Sequence, residues 1–270
     1  MLTDKYLRGF IPYHCGMSTE MITPGRTSVY RSDVPFLKIR DLAINIGDTP
    51  VLHAVSLSVR PGEVVGLLGP NGAGKTTTMA AALGLLPKRS GETRLFDQDP
   101  SIAGPAIRRR VGILPDRHGF YDWMTALDYL TLFANLYGSP LTPQTATDLL
   151  DRVGLAPHRR QPIGAFSHGM RQRLGLARAL VPIPKLLLLD ERTNGLDPQG
   201  RRTIHDILVS LALQGVGILL CTHLLDDVER LCHRIALIVE GRTVAEGKIE
   251  ELLHTHAFDR RFRLRLGMTP

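Results

Sequence analysis

The chain changes character at Phe36. Upstream, residues 1–35 keep no hydrophobic period and hold Pro24, Gly25 and Pro35, which predicts a loosely ordered extension in which Met17 and Met21 stand as alternative starts. Downstream, Val55, Leu57 and Val59 alternate with Ser56, Ser58 and Arg60 as far as Pro61-Gly62. A period of two predicts a half-buried strand. VVGLLG (64–69), KLLLLDE (185–191) and GILLCTH (217–223) are different: short, continuous apolar runs that end in glycine or polar residues. Such runs predict strands buried on both faces of a mostly parallel sheet, whose ligands bind beyond the carboxyl ends of the strands.

Helical signals fill the space between these runs. TTTMAAALGLL follows the first; Thr125 with Asp128 gives a capping-box pattern ahead of LDYLTLFANLYG, and Thr142-Pro143 opens another helix that should stop near Gly154. IALIVE, Gly241-Arg242 and TVAEG predict a β-hairpin with its turn at Gly241-Arg242. At the end, Phe262, Leu264 and Leu266 alternate with Arg261, Arg263 and Arg265, so FDRRFRLRL reads as a short strand with a basic, solvated face. Strands alternating with helices define an α/β fold, and the helical insertion makes a separate lobe.

Composition narrows little. The 270 residues are 43% hydrophobic and 22% charged, an ordinary globular balance. A formal charge of +7 suits nucleic acid, an anionic membrane or a phosphorylated ligand equally. Three cysteines without a CxxC pair suggest neither a disulfide framework nor a zinc site, and among ten scattered histidines the pair His254 and His256 has no carboxylate or cysteine cluster beside it. Nothing approaches the roughly 18 consecutive apolar residues of a membrane span, and the apolar start is broken at Pro12 and His14, too short for a signal peptide.

The chemistry sits at the strand ends. GPNGAGKTT (69–77) matches GxxxxGK[ST] between a strand and a helix, the context in which backbone N–H groups cradle phosphates, Lys75 meets the β and γ phosphates and Thr76 ligates Mg2+. LLLLDE adds Asp190, placed to hold Mg2+, and Glu191, placed to orient and deprotonate an attacking water. FSHGMRQRLGLARAL (166–180) has two readings from its residues alone: the capped start of an amphipathic helix, or half of an anion site.

GPNGAGKTT, VGILPDRHGFYDWMTALDYL, FSHGMRQRLGLARAL, LLLLDERTNGLDP and LLCTHLLDDVERLC, in that order, resemble the nucleotide-binding subunit of ATP-binding cassette (ABC) transporters. The likeness runs from about Phe36 to Leu253 and points within the family to the single-domain ATPases of bacterial ABC-2-type export systems. It implies a P-loop NTPase, RecA-like core with a mostly parallel sheet, an N-terminal antiparallel β subdomain and a helical signature subdomain at about 116–178. Residues 1–35 and 254–270 would flank it as extension and basic tail.

By the same resemblance, Gly69, Asn71, Gly72, Ala73, Gly74, Lys75, Thr76 and Thr77 bind the phosphates of ATP. Thr76 and Asp190 hold Mg2+, Glu191 is the catalytic base and His223 the switch histidine that touches the γ-phosphate. Taken alone, His223 would read as a buried histidine capping a strand. Asn194, Gly195, Leu196 and Asp197 match the loop that communicates across a dimer. Ser167 and Gly169 would meet the γ-phosphate held by a second ATPase subunit, in a homodimer or a related heterodimer.

Four positions depart from the family pattern. His168 and Met170 turn LSGGQ into FSHGM, and His168 reads as a tolerated substitution. Asp116 replaces a glutamine; it can ligate Mg2+ but brings negative charge toward the γ-phosphate. Ile46 stands where an aromatic residue stacks on adenine, and Arg192 replaces a proline.

The expected function is the ATP-hydrolysing motor of an exporter, cytoplasmic and held on the inner face of the membrane by an integral-membrane permease, with no nucleic acid partner. Tyr121, Trp123 and Met124 are candidates for the permease contact, with local core packing the equal alternative. A soluble cassette ATPase working on ribosomes or DNA is the alternative function, although a single phosphate loop without sustained heptads argues against it. A P-loop kinase or GTPase leaves FSHGM and the histidine after GILLCT unexplained.

Overall fold

A computed structural model describes residues 34–116, 119–190, 198–222 and 225–253. The extension (1–33), the tail from His254, Glu191, Arg192, the 194–197 loop and His223 lie outside the described residues.

Among the described residues the strands are β1 (Leu37–Ile46), β2 (Thr49–Val59), β3 (Val64–Leu68), β4 (Ser90–Leu95), β5 (Val111–Leu114), β6 (Leu186–Asp190), β7 (Gly217–Thr222), β8 (Arg234–Val239) and β9 (Arg242–Lys248). They form one sheet in the order β4-β1-β2-β9-β8-β3-β7-β6-β5. From β8 to β5 every pairing is parallel, whereas β4-β1-β2 is antiparallel and β9 pairs parallel with β2 and antiparallel with β8. This is the parallel core with an antiparallel flank that the P-loop NTPase reading requires.

The continuous apolar runs follow from burial on both faces. In β6, Leu187 and Leu189 join one core cluster and Leu186 and Leu188 the other; β7 divides Ile218 and Leu220 from Leu219 and Cys221 in the same way. Alternate residues of a strand point to opposite sides, so a strand covered on both must be apolar throughout. β2 is covered differently: Val55, Leu57 and Val59 are buried and the residues between them half-exposed, matching the alternation in the sequence.

The helices are α1 (Lys75–Ala82), α2 (Pro100–Ala103), α3 (Pro105–Arg108), α4 (Ala126–Tyr137), α5 (Pro143–Arg152), α6 (His168–Leu180), α7 (Pro198–Leu213), α8 (Leu225–Leu231) and α9 (Ile249–Leu253). Three start on hydroxyl caps read from the sequence: Thr125, Thr142 and Ser167 accept the N–H groups of Asp128, Thr145 and Met170 at 3.2, 3.1 and 3.2 Å. The expected box at α4 is only half formed, because the Asp128 carboxylate accepts the Thr125 hydroxyl at 2.6 Å. No helix among the described residues is long and apolar enough to cross a membrane.

One expectation changes, and two strands escape the sequence pattern. The β8–β9 turn is Glu240-Gly241, with φ of 47° and 68°, and Arg242 already opens β9. Both central residues are left-handed, as a tight two-residue hairpin demands. Strands β1 and β4 left no readable alternation. In β1 an irregularity at Asp41 (φ 46°) breaks the period of two, and β4, SGETRL, is a polar strand at the sheet edge.

Candidate functional site

The loop between β3 and α1 closes over the carboxyl ends of the parallel strands. Gly74, at φ 103°, is the residue before α1, and no side chain caps that helix. α4, α5 and α6 take side-chain caps; α1 instead offers an uncapped N-terminus, the arrangement that receives an anion. The left-handed φ at Gly74 favours glycine, and a Cβ there would stand 2.4 Å from Leu52 Cδ2, so that methyl would also have to move. Lys75, only 6% exposed, crosses the loop, and its Nζ donates to the carbonyls of Gly69 at 2.8 Å and Pro70 at 3.2 Å. The Thr76 hydroxyl donates to Asp190 Oδ2 at 2.9 Å, joining the start of α1 to the end of β6.

These groups border a cleft of about 610 Å3. Asn71, Gly72, Gly74, Lys75, Thr76 and Thr77 line it from the loop and Asp190 from β6; Pro115 and Asp116 follow β5. The other two predicted loop residues sit beneath. Gly69 supplies a carbonyl to Lys75, while Ala73 packs in the core and donates its N–H to the Pro70 carbonyl at 3.1 Å. Ile46 is 54% exposed at the end of β1, and the residue of that hairpin that lines the cleft is Val51.

Ser167 and Gly169 stand elsewhere. Ser167 and His168 are exposed at the start of α6, and neither Ser167 nor Gly169 lines the cleft. The body of α6 is held firmly. Arg178, 6% exposed, donates to the Tyr129 hydroxyl at 2.8 Å and lies 5.1 Å from the centre of the Phe133 ring. Burial pushes the Tyr129 phenol up, against the pull of the Arg178 guanidinium, so it stays neutral and accepts that bond. Near its start, Arg171 pairs with Asp122 at 2.8 Å. The histidine in the signature segment meets Gln172, with Nε2 atoms 3.3 Å apart.

Gly241 is the supporting residue that the sequence pattern missed. Its N–H donates to the Ala73 carbonyl at 3.2 Å, and its carbonyl accepts the N–H groups of His53 at 2.8 Å and Ala54 at 3.2 Å. The hairpin turn therefore braces the phosphate loop from behind, against β2. Only its glycine-in-a-turn character was visible in sequence.

A glycine loop, a buried lysine and a hydroxyl-carboxylate pair bind a nucleoside triphosphate. Among the described residues no three His, Cys, Asp or Glu side chains gather as a metal cluster. Thr76, Asp190 and Asp116 offer hard oxygen donors in small number, which suits Mg2+ shared with phosphates better than a metal held by protein alone.

Comparison with known proteins agrees. The ABC transporter family profile matches residues 52–194. The Bacillus subtilis ABC transporter ATP-binding protein YdbJ is 38% identical over 217 residues, 80% of this chain and 70% of that protein. The fluoroquinolones export ATP-binding protein of Mycobacterium tuberculosis is 40% identical over 204 residues, 75% and 67% of the two chains. The Nod factor export ATP-binding protein I of Cupriavidus metallidurans is 39% identical over 219 residues, 80% and 72%. Among solved structures, an ATP-binding subunit of an ABC transporter superposes with a TM-score of 0.72 at 30% identity, covering 85% of this chain and 94% of that one. The cbiO1 protein of Clostridium perfringens, part of the ABC transporter complex cbiONQ, gives 0.69 at 28% identity, with 86% and 96% covered. The fold, the phosphate loop and these relatives converge: the chain belongs to the ABC transporter family, as an ATP-binding subunit whose nucleotide-binding domain hydrolyses ATP.

Proposed function

We propose that two copies of this subunit, or one copy and a related chain, close around two ATP-Mg2+ and drive a separate membrane permease in export. One observation carries the dimer: the cleft that holds Lys75, Thr76 and Asp190 lacks Ser167 and Gly169, which sit exposed and half-buried, respectively, on an anchored helix start. The Ser167 cap takes up one N–H of that start, that of Met170. It leaves the positive end of the helix dipole and the donor of the Ser167 hydroxyl to meet the γ-phosphate of a partner's ATP.

Within each site the loop and Lys75 hold the β and γ phosphates. Thr76 and Asp190, with Asp116 on the same cleft, would hold Mg2+, which neutralises phosphate charge when bound. Glu191 orients and deprotonates the attacking water, and His223 contacts the γ-phosphate. Val51 gives the base an aliphatic wall in place of an aromatic stack.

The nucleotide-binding domain is taken as 36–253, with its helical subdomain at about 116–178. For the permease contact, Trp123 and Tyr121 are 77% and 46% exposed, with ring centroids 6.0 Å apart, while Met124 packs on the core and drops out. Exposed aromatic side chains beside the Arg171–Asp122 bridge are the residue types that anchor interfaces. The permease would hold the subunit at the inner face of the membrane. Export is supported by the names of the M. tuberculosis and C. metallidurans relatives.

Glu191→Gln should bind ATP, lose turnover by about 10²-fold or more, and accumulate as a dimer on gel filtration with ATP. Ser167→Arg should abolish hydrolysis while monomeric ATP binding persists. Loss of ATP affinity in the Ser167→Arg monomer would place Ser167 in its own chain's site and end the composite-site reading.

A further inference from the structure

β6 and β5, neighbours at the parallel end of the sheet, both bring a carboxylate to the nucleotide cleft. Leu114 of β5 stands opposite Leu189, and β6 ends one residue later at Asp190. β5 ends at Leu114, and Pro115 and Asp116 follow it onto the cleft wall. Neighbouring strands lie about 4.8 Å apart, so Asp116 leaves the sheet beside Asp190 and one residue further out. Pro115 fixes its own φ, which removes one torsion from the stub that carries Asp116. Asp190 is 3% exposed, whereas Asp116 stands exposed at the rim.

A triphosphate brings negative charge into this cleft, and Asp116 adds to it. Asp190 accepts the Thr76 hydroxyl at 2.9 Å, and Lys75 is the one basic side chain among the described residues that line the cleft. Its Nζ also holds the loop through the carbonyls of Gly69 and Pro70. A second carboxylate beside the phosphates repels them when no cation stands between. The same carboxylate oxygen is a donor of the kind that Mg2+ takes, one or two from protein together with those of the phosphates.

We propose, on the reading of this cleft as the phosphate site, that Asp116 makes a divalent cation a condition of tight nucleotide binding, and not only of hydrolysis. With a neutral side chain after β5, Lys75 and the loop N–H groups would hold a triphosphate with or without metal. Asp116 opposes metal-free ATP and offers ATP-Mg2+ an oxygen ligand. It weakens one form and supports the other, so the chain selects between them before any bond is broken.

The test is titration of the full chain with fluorescent ATP in EDTA and in excess Mg2+, read as the ratio of the two dissociation constants and needing no turnover. Low ionic strength is used because Asp116 is exposed and salt screens it. Asp116→Asn, neutral and nearly isosteric, should bind metal-free ATP about threefold to tenfold more tightly and ATP-Mg2+ no more tightly than the parent. A folding defect would weaken both forms; a gain confined to metal-free ATP is the mark of the charge. Asp116→Glu, which keeps the carboxylate, should keep the parental ratio within about twofold.

A parental ratio in Asp116→Asn, or one ratio shared by the Asn and Glu variants, overturns this role for Asp116. If Lys75→Ala has lost affinity in both buffers, the site reading survives that result. Parental affinity in Lys75→Ala overturns the site reading and this inference with it.

Discussion

Replacing Gly241 by alanine tests whether the hairpin turn supports the nucleotide site. Gly241 has φ 68°, and an alanine held there loses about 1–2 kcal/mol to left-handed strain. Its new Cβ would also stand 2.2 Å from the Val51 carbonyl oxygen and 3.0 Å from Leu52 Cα, both backbone atoms that cannot rotate away. Relief requires the turn and β2 to part by about 1 Å. That movement stretches the bonds from His53 and Ala54 to the Gly241 carbonyl and from Gly241 to Ala73, each worth about 1 kcal/mol. The expected loss is therefore about 3–5 kcal/mol, a large share of a typical domain's stability.

Gly47→Ala is the matched control. Gly47 has φ 58° and nothing within 4 Å of an added Cβ, so it should lose only the strain, about 1–2 kcal/mol. Urea unfolding of both variants at constant m measures the difference, and fluorescent-nucleotide titration measures the site. Because Gly241 holds Ala73 in the phosphate loop and abuts Val51 on the cleft wall, its variant should bind ATP about tenfold more weakly, equivalent to about 1.4 kcal/mol. Equal losses in the two variants, or parental ATP affinity in Gly241→Ala, would refute the bracing argument.

Ile183, 63% exposed between two prolines, holds φ 50°, a strained region for a β-branched residue; Ile183→Asn should raise unfolding stability by about 1 kcal/mol, read from the urea midpoint. The Lys88 ammonium, 2.6 Å away, and the Ser101 hydroxyl hold the Asp99 carboxyl down at about 2, below the ordinary unfolded value. Its stabilisation is thus present above about pH 4 and lost as pH falls toward 2. Asp99→Ala should lower stability at pH 7 by about 1 kcal/mol, and that gap should narrow on acidification, as unfolding curves at several pH values would record. Burial pushes the Cys232 thiol up to about 12, and Cys221 is buried in β7, so peptide mapping after native iodoacetamide treatment at pH 7.5 should find both unmodified.

How much of this was legible depends on the distance over which each constraint acts along the chain. The phosphate loop is local: strand, glycines, lysine and helix are contiguous, so the order of residue types carries the chemistry. The both-face burial of β6 and β7 is equally readable, since every position must be apolar. β1 hides because the irregularity at Asp41 puts its burial out of phase, and β4 because an edge strand can be polar. The bracing by Gly241 depends on β9 lying between β2 and β8. That placement brings the turn against a loop distant in sequence, and no local pattern encodes it.

The segment from Tyr121 to Met124 shows the same limit at the proposed permease contact. Four adjacent residues meet three environments: Tyr121 and Trp123 project outward, Asp122 pairs with Arg171 of α6, and Met124 packs on the helical core. Sequence treats an exposed aromatic pair and a packed methionine alike, because all three are apolar and the stretch has no helical or strand period to assign them faces. The Asp122–Arg171 bridge gives the outward pair its consequence, since Arg171 lies four residues after Ser167 on the helix that presents the cap. Trp123 is tied to the start of α6 by the Asp122–Arg171 ion pair and by the N–H groups of Gly164 and Ile163, which donate to the carbonyls of Asp122 and Met124, while Arg178 and Tyr129 hold the rest of that helix. A contact made there is therefore mechanically close to the cap proposed to meet the partner's ATP, although neither residue touches the cleft on its own chain.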